Sequence, residues 1–179
     1  QKFTFIRIPG SSMLMKKGYP LLPKLAKLVK IHDRCKVTLK VLAKEEVEVK
    51  LRAPIVPSKG HFTRNINPET VGLEMGPIYK QDIYWPAEKD QFKLGKAFLL
   101  RDVRGVRIQI LPVRANHVQM KMKVLKKVVF AIVCKEEAGS NVITRSRNAG
   151  APSKNFQSLY QGAFMNYSAP MVRGEVPNP

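Results

Sequence analysis

Acidic residues are scarce in this chain. Its 179 residues hold 13 Asp and Glu against 32 Lys and Arg, a formal charge of +19 and a pI near 10.2. Such an imbalance points to an anionic partner: nucleic acid, an anionic membrane surface or an acidic protein. Cysteines number only two, which excludes a disulfide-dense scaffold and any four-cysteine zinc site. No apolar run approaches the roughly 20 residues of a membrane-spanning helix, the longest lying near Val128–Cys134. No charged-then-apolar leader opens the chain at Gln1, so the expectation is that any signal peptide has been removed or was never there. A Gly-rich phosphate loop is also missing, because Gly72 and Gly76 precede a proline and no helix. What is present is 44% hydrophobic residues, enough for one domain with its own core.

The charge is distributed, not confined to a tail. Residues 1–60 carry an excess of +10, residues 61–120 of +3 and residues 121–179 of +6. Charged side chains alternate with apolar ones, as in Glu46-Val47-Glu48-Val49-Lys50-Leu51, the pattern of a solvated sheet face. Alternation recurs in Val37/Leu39/Val41, in Val106/Ile108/Ile110 up to Pro112, and in Met120/Met122/Val124. Val128–Val133 is apolar on both faces, as in a central strand, and Phe3–Ile8 is extended in character. Turn residues fall between these runs at Pro9-Gly10, Gly18-Tyr19-Pro20, Pro57-Ser58-Lys59-Gly60 and Asn67-Pro68. Many short strands with such punctuation predict a β-sandwich or barrel.

Two segments depart from this period. Leu22, Leu25, Leu28 and Val29 fit a short basic amphipathic helix better than a strand. Near the C-terminus, Ser153 is placed to cap a helix whose apolar stripe is Phe156, Leu159, Tyr160, Ala163 and Phe164. Beyond Tyr167 there is no periodicity and there are three prolines, so 168–179 is expected to be an exposed, flexible cleavage segment after a domain spanning 1–167.

Catalytic apparatus is not evident. His32 and Cys35 form the one close pair of possible dyad residues, and a turn histidine beside a half-buried thiol is the simpler reading. A metal would need more ligands than His32, His61, His117, Cys35 and Cys134 offer, and no cofactor is implied. Whether Cys35 and Cys134 bond to each other stays open. The carboxylate pairs Glu45/Glu46 and Glu136/Glu137 read as solvated strand or turn residues. For nucleic acid, Phe3, Phe5 and Phe62 lie among basic residues, yet neither a Lys/Arg-Gly-Phe/Tyr signature nor a long basic recognition helix accompanies them. Charge alone keeps that reading open.

The most informative stretch is Phe98-Leu-Leu-Arg-Asp-Val-Arg-Gly-Val-Arg-Ile-Gln-Ile-Leu-Pro112, followed by Asn116 and the Met122/Val124 and Val128/Phe130/Ile132 runs. With Gly18-Tyr-Pro-Leu-Leu-Pro23, Ala53-Pro-Ile-Val-Pro-Ser-Lys-Gly60, Asn67-Pro68, Tyr79, Trp85-Pro86, Glu137-Ala-Gly-Ser-Asn141 and Phe164-Met-Asn-Tyr167, it resembles the pro-region of gingipain-family cysteine peptidases, most of all the arginine-specific members. The pieces run in family order over residues 18–167.

That resemblance implies an all-β, jelly-roll-like antiparallel β-sandwich with one short C-terminal helix, seated on a catalytic domain that it keeps latent. It also implies a protein exported through the periplasm of a Gram-negative bacterium to the medium or cell surface. The family's inhibitory loop would correspond to Arg101, Asp102, Val103, Arg104 and Gly105, with Arg104 at the tip entering the cleft and Gly105 letting the backbone pass the nucleophile. Arg173-Gly174 would be the processing site, with Arg145 and Arg147 as competitors. The family is extended at Leu22–Val29, against the helical spacing there. Departures are Ala115-Asn116-His117 where the family has Tyr-Asn-Pro, the missing counterpart of its first few dozen residues, and the high charge. The sequence reaches Pro179 without a catalytic domain, so the expectations are either a fragment of a longer protein or a free-standing inhibitor, with a basic β-sandwich binding a polyanion as the further alternative.

Overall fold

Alternating β-branched and lysine residues make extended chain the cheapest way to bury one side of each segment. The computed structural model describes residues 2–144 and 153–168, and eight strands carry most of the order. They are β1 (Ser12–Met13), β2 (Pro23–Lys30), β3 (Cys35–Lys50), β4 (Phe92–Leu94), β5 (Phe98–Leu100), β6 (Val103–Ile110), β7 (Val113–Asn116) and β8 (Lys121–Ala138). One sheet runs β1-β2-β6-β4, with β5 also paired to β6; the other runs β3-β8-β7. The β1/β2, β5/β6 and β7/β8 pairings are all antiparallel. The only α-helix among the described residues is α1, Lys154–Ala163. An all-β chain with antiparallel sheets and one short C-terminal helix is thus what the alternation and the turn clusters predict.

Several local expectations need correction. Leu22–Val29 is not a helix: Pro23–Lys30 is β2, held on one side by β1 and on the other by β6. Its side-chain spacing suits either period, and pairing partners decide. The run at Val37–Val41 and all but the last residue of the run at Val47–Leu51 are parts of one sixteen-residue strand, β3, which ends at Lys50. β8 is the central strand of its sheet, as the apolar run Val128–Val133 predicts, although Val129 and Val133 stay about two-fifths exposed. Ser153 occupies the N-cap of α1, but its hydroxyl makes no capping hydrogen bond; its carbonyl accepts from Gln157 N instead. Leu159 lies half exposed, outside the buried stripe.

The chain packs as two units. One comprises residues 1–26, 41–93 and 109–131, and its core gathers Leu22, Leu51, Ile55, Val113 and Ala115, with Ile6, Trp85, Met120 and Met122 against them. Polar groups are buried in it as well. Arg114 Nε donates to Pro86 O at 3.1 Å while its Nη1 lies 3.8 Å from both Glu46 and Glu88, and Gln91 Nε2 donates to Glu46 at 2.9 Å. Glu46 is therefore a half-buried network member and not the solvated strand carboxylate expected from its place beside Glu45. The other unit comprises 27–40, 94–108 and the chain from 132 onward. There Val103, Tyr160 and Phe164 pack with Leu28, Phe98, Leu100 and Phe156, so α1 lies on β5 and β6 through the stripe read from the sequence.

Candidate functional site

The Arg101–Gly105 stretch is a tight hairpin. Phe98 pairs with Gly105, Leu99 with Arg104 and Leu100 with Val103, so Arg101-Asp102 is the whole connection. Arg101 has φ 52°, its Nε lies 3.6 Å from Asp102, and its guanidinium sits 3.8 Å over the ring of Phe156. Only these two residues face solvent; Val103, Arg104 and Gly105 are buried.

Arg104 is consequently not a loop tip. It is 1% exposed and the largest fully buried side chain among the described residues. Its Nη1 donates to His32 O (2.6 Å) and Cys35 O (2.9 Å), and its Nε and Nη2 donate to Ser140 O at 3.0 and 2.7 Å. The guanidinium thereby ties the entry to β3 and the exit of β8 to β6. Gly105 has a packing reason too. A Cβ there would lie 2.5 Å from Phe164 Cε1 and 3.1 Å from Phe98 Cζ, so the residue is small to admit the two stacked rings. Gly139 likewise leaves room for Arg104, whose Nη2 would be 2.2 Å from an added Cβ.

Beside this cage, Cys35 and Cys134 are disulfide-bonded, with Cα atoms 5.7 Å apart and a sequence separation of 99. His32 brings a ring nitrogen within 4.8 Å of both sulfurs. Sulfurs joined to each other are not thiolates, so the trio is not a metal site in this state.

A long segment that reaches solvent is 61–75, exposed at all but Phe62 and Val71. Both its ends meet the Gly18 turn: Ser58 N donates to Tyr19 O, Gly18 N to Ser58 O, and Gly76 N to Gly18 O at 2.8 Å. A Cβ at Gly76 would come within 2.7 Å of Gly18 O, so only glycine lets these backbones touch. This is the geometry of an Ω-loop, closed at its base and exposed along its length. Within it Ile66 N donates to Thr63 O, making a turn with Arg64 and Asn65 at its centre. A second turn follows at Asn67–Thr70, and Lys59 Nζ donates to Pro68 O across the loop. Arg64 is exposed and its side chain has no hydrogen-bond or ion-pair partner among the described residues. Ile66, Leu73 and Met75 are each more than two-fifths exposed nearby in the chain. Sequence reasoning took Gly60 and Asn67-Pro68 as turn markers and passed over the arginine between them. Two turn clusters bracketing an unpatterned basic segment were the available signal. Arg145, Arg147, Arg173 and Gly174 lie outside the described residues.

A family model described as Propeptide_C25 matches residues 1–171. The chain belongs to the C25 propeptide family. As a pro-domain of this family it is 31% identical to gingipain R2 of Porphyromonas gingivalis over 156 residues, 87% of this chain and 20% of that protein. It is 30% identical to gingipain R1 over 154 residues, 86% of this chain and 15% of that one. The chain thus spans a fifth or less of the curated relatives it matches. Among solved structures it matches a complex of P. gingivalis RgpB pro- and mature domains, with TM-score 0.73 and 29% identity over 89% of this chain and 78% of that one. A structure concerned with the zymogenic latency of gingipain K shares the fold, with TM-score 0.62 at 19% identity over 71% of both chains. No described helix is long and apolar enough to cross a membrane.

Proposed function

We propose that this pro-domain is the inhibitory and folding-assisting partner of the catalytic domain of a secreted, arginine-specific cysteine peptidase of the gingipain type, and is itself non-catalytic. Support comes from family membership over 1–171 and from the likeness to a chain whose structure is a complex of pro- and mature domains. The disulfide suits a chain that leaves the reducing cytosol.

The arginine that enters the cleft, in this reading, is Arg64. A cleft that accepts arginine has to present a carboxylate to a guanidinium, and the guanidinium has to be solvent-facing and unpaired before docking. Arg64 meets that requirement on an exposed turn with a fixed base. Arg104 does not, since its donors are already used on three carbonyls, and Arg101 is engaged by Phe156 and Asp102. Release by a cut after Arg173, between a 1–167 domain and a 168–179 linker, rests on the sequence alone. Limited digestion with an arginine-specific peptidase and intact-mass measurement tests it: a first product ending at Arg173 supports it, and first cuts at Arg145 or Arg147 reject it.

The direct test of the function is titration of the isolated chain against an arginine-specific peptidase of this family, with labelled DNA at two salt concentrations in parallel. Tight, saturable inhibition is expected. Absence of inhibition together with DNA binding that collapses as salt rises would replace it with the polyanion reading suggested by the +19 charge.

A further inference from the structure

The two sulfurs of the disulfide are unequally placed. Cys35 is 8% exposed, whereas Cys134 is exposed. A cavity of about 460 Å³ opens beside the bond, with His32, Arg34, Cys134, Lys135 and Glu137 on its walls. Glu137 is taken by Lys36, whose Nζ donates to it at 2.7 Å. Arg34 and Lys135 have no ion-pair partner among the described residues, so the mouth of the cavity is cationic. The His32 ring accepts a hydrogen bond from Arg34 N through Nδ1, at 3.3 Å, which fixes the ring next to the sulfurs.

We propose that this disulfide is a thiol-exchange site, opened at Cys134 by small thiols that carry a carboxylate. Such a thiolate attacks the Sγ of Cys134 from the cavity, forming a new S–S bond as the Cys35–Cys134 bond breaks. The electron pair leaves on the Sγ of Cys35, which then takes a proton from solvent, with the His32 ring near enough to relay it. The product is a mixed disulfide on Cys134 and a free thiol at Cys35; a second thiol molecule removes the first as its own disulfide and leaves Cys134 reduced. Direction follows from access, because the attacking group reaches the exposed sulfur and the buried one becomes the leaving group. Selectivity follows from charge, because Arg34 and Lys135 draw a carboxylate toward the cavity and raise the local concentration of the anionic thiol. This inference does not depend on the peptidase reading.

The test is to treat the oxidised full chain with glutathione and, separately, with cysteamine, quench with iodoacetamide, and follow adducts by intact mass and peptide mapping. Each rate is normalised to that thiol's rate with the neutral disulfide of 2-mercaptoethanol. The expected result is a glutathione adduct on Cys134 with Cys35 alkylated, and a normalised rate about tenfold above that of cysteamine. The paired variant Arg34→Ala/Lys135→Ala should bring that ratio toward one. Raised salt on the unmutated chain should do the same, and so reads the charge effect even where the variant folds poorly. Adducts on Cys35, or a ratio that neither salt nor the variant moves, would overturn the proposal.

Discussion

Arg104 shows how one buried side chain can organise a neighbourhood. Four charge-assisted hydrogen bonds to His32, Cys35 and Ser140 carbonyls replace the water that burial removes, and they satisfy backbone groups at two strand ends. Replacing it with Met strands those carbonyls, so Arg104→Met should lower stability by about 3 kcal/mol, read as a shift in urea midpoint at constant slope. A midpoint within error of the parent would contradict the cage. His117 is the corresponding titratable case. Its ring packs 4.3 Å from that of Tyr79, its Nε2 accepts from Ile55 N, and burial pushes its pKa down to about 4. Unfolded, the imidazole returns to about 6.5. The unfolded chain therefore binds the extra proton first as pH falls. The contribution is complete above pH 6.5 and is lost as pH drops toward 4. Melting temperatures across pH 7 to 4 should fall for the parent and fall less for His117→Gln.

At the scale of elements, the β5–β6 hairpin and α1 are locked by aromatic rings meeting over Gly105. Gly105→Ala inserts a methyl 2.5 Å from Phe164 and should cost about 1–3 kcal/mol, while Gly162→Ala, with nothing within 4 Å, should be neutral or slightly stabilising. Equal losses in the two variants, measured by thermal melts, would remove this account of the hairpin. These elements also show what was legible in advance. Alternation in β3, β6 and β8 and the stripe Phe156, Tyr160, Phe164 follow from side-chain period alone, and they are visible in one dimension. The β-pairing of Leu22–Val29 is not, because a run spaced i, i+3, i+6 suits a helix until a neighbouring strand supplies hydrogen bonds. Arg104 misled for the same reason. An Arg-Gly step is common to exposed loops and to strands that bury a charge among carbonyls, and only the chain ends brought near it by folding distinguish the two. The Ω-loop at 61–75 was readable as turns but not as a presented surface, since its closure depends on Gly18, some forty residues earlier.

On the scale of the whole molecule, several cations are neutralised locally, among them Lys36 by Glu137, Lys44 by Glu46 and Glu88, Lys121 by Glu48 and Lys126 by Glu45. The surplus of a +19 chain remains for long-range attraction. In an encounter with an acidic catalytic domain such charge acts on the association rate more than on residence time. Stopped-flow mixing at rising salt should slow association and leave dissociation nearly constant; the reverse pattern would mean the charges are not steering. In the function proposed above, an exposed arginine on a pre-closed loop, and not the buried Arg-Gly step, enters the cleft of a gingipain-type peptidase. Inhibition constants and melting temperatures for Arg64→Ala, Arg64→Lys and Arg101→Ala, measured side by side, test it most directly. Arg64→Ala should weaken inhibition by about 2 kcal/mol or more with no change in melting temperature, Arg64→Lys should also weaken it because an ammonium lacks the planar fork, and Arg101→Ala should inhibit like the parent. An Arg64→Ala chain that inhibits as tightly as the parent would contradict the account.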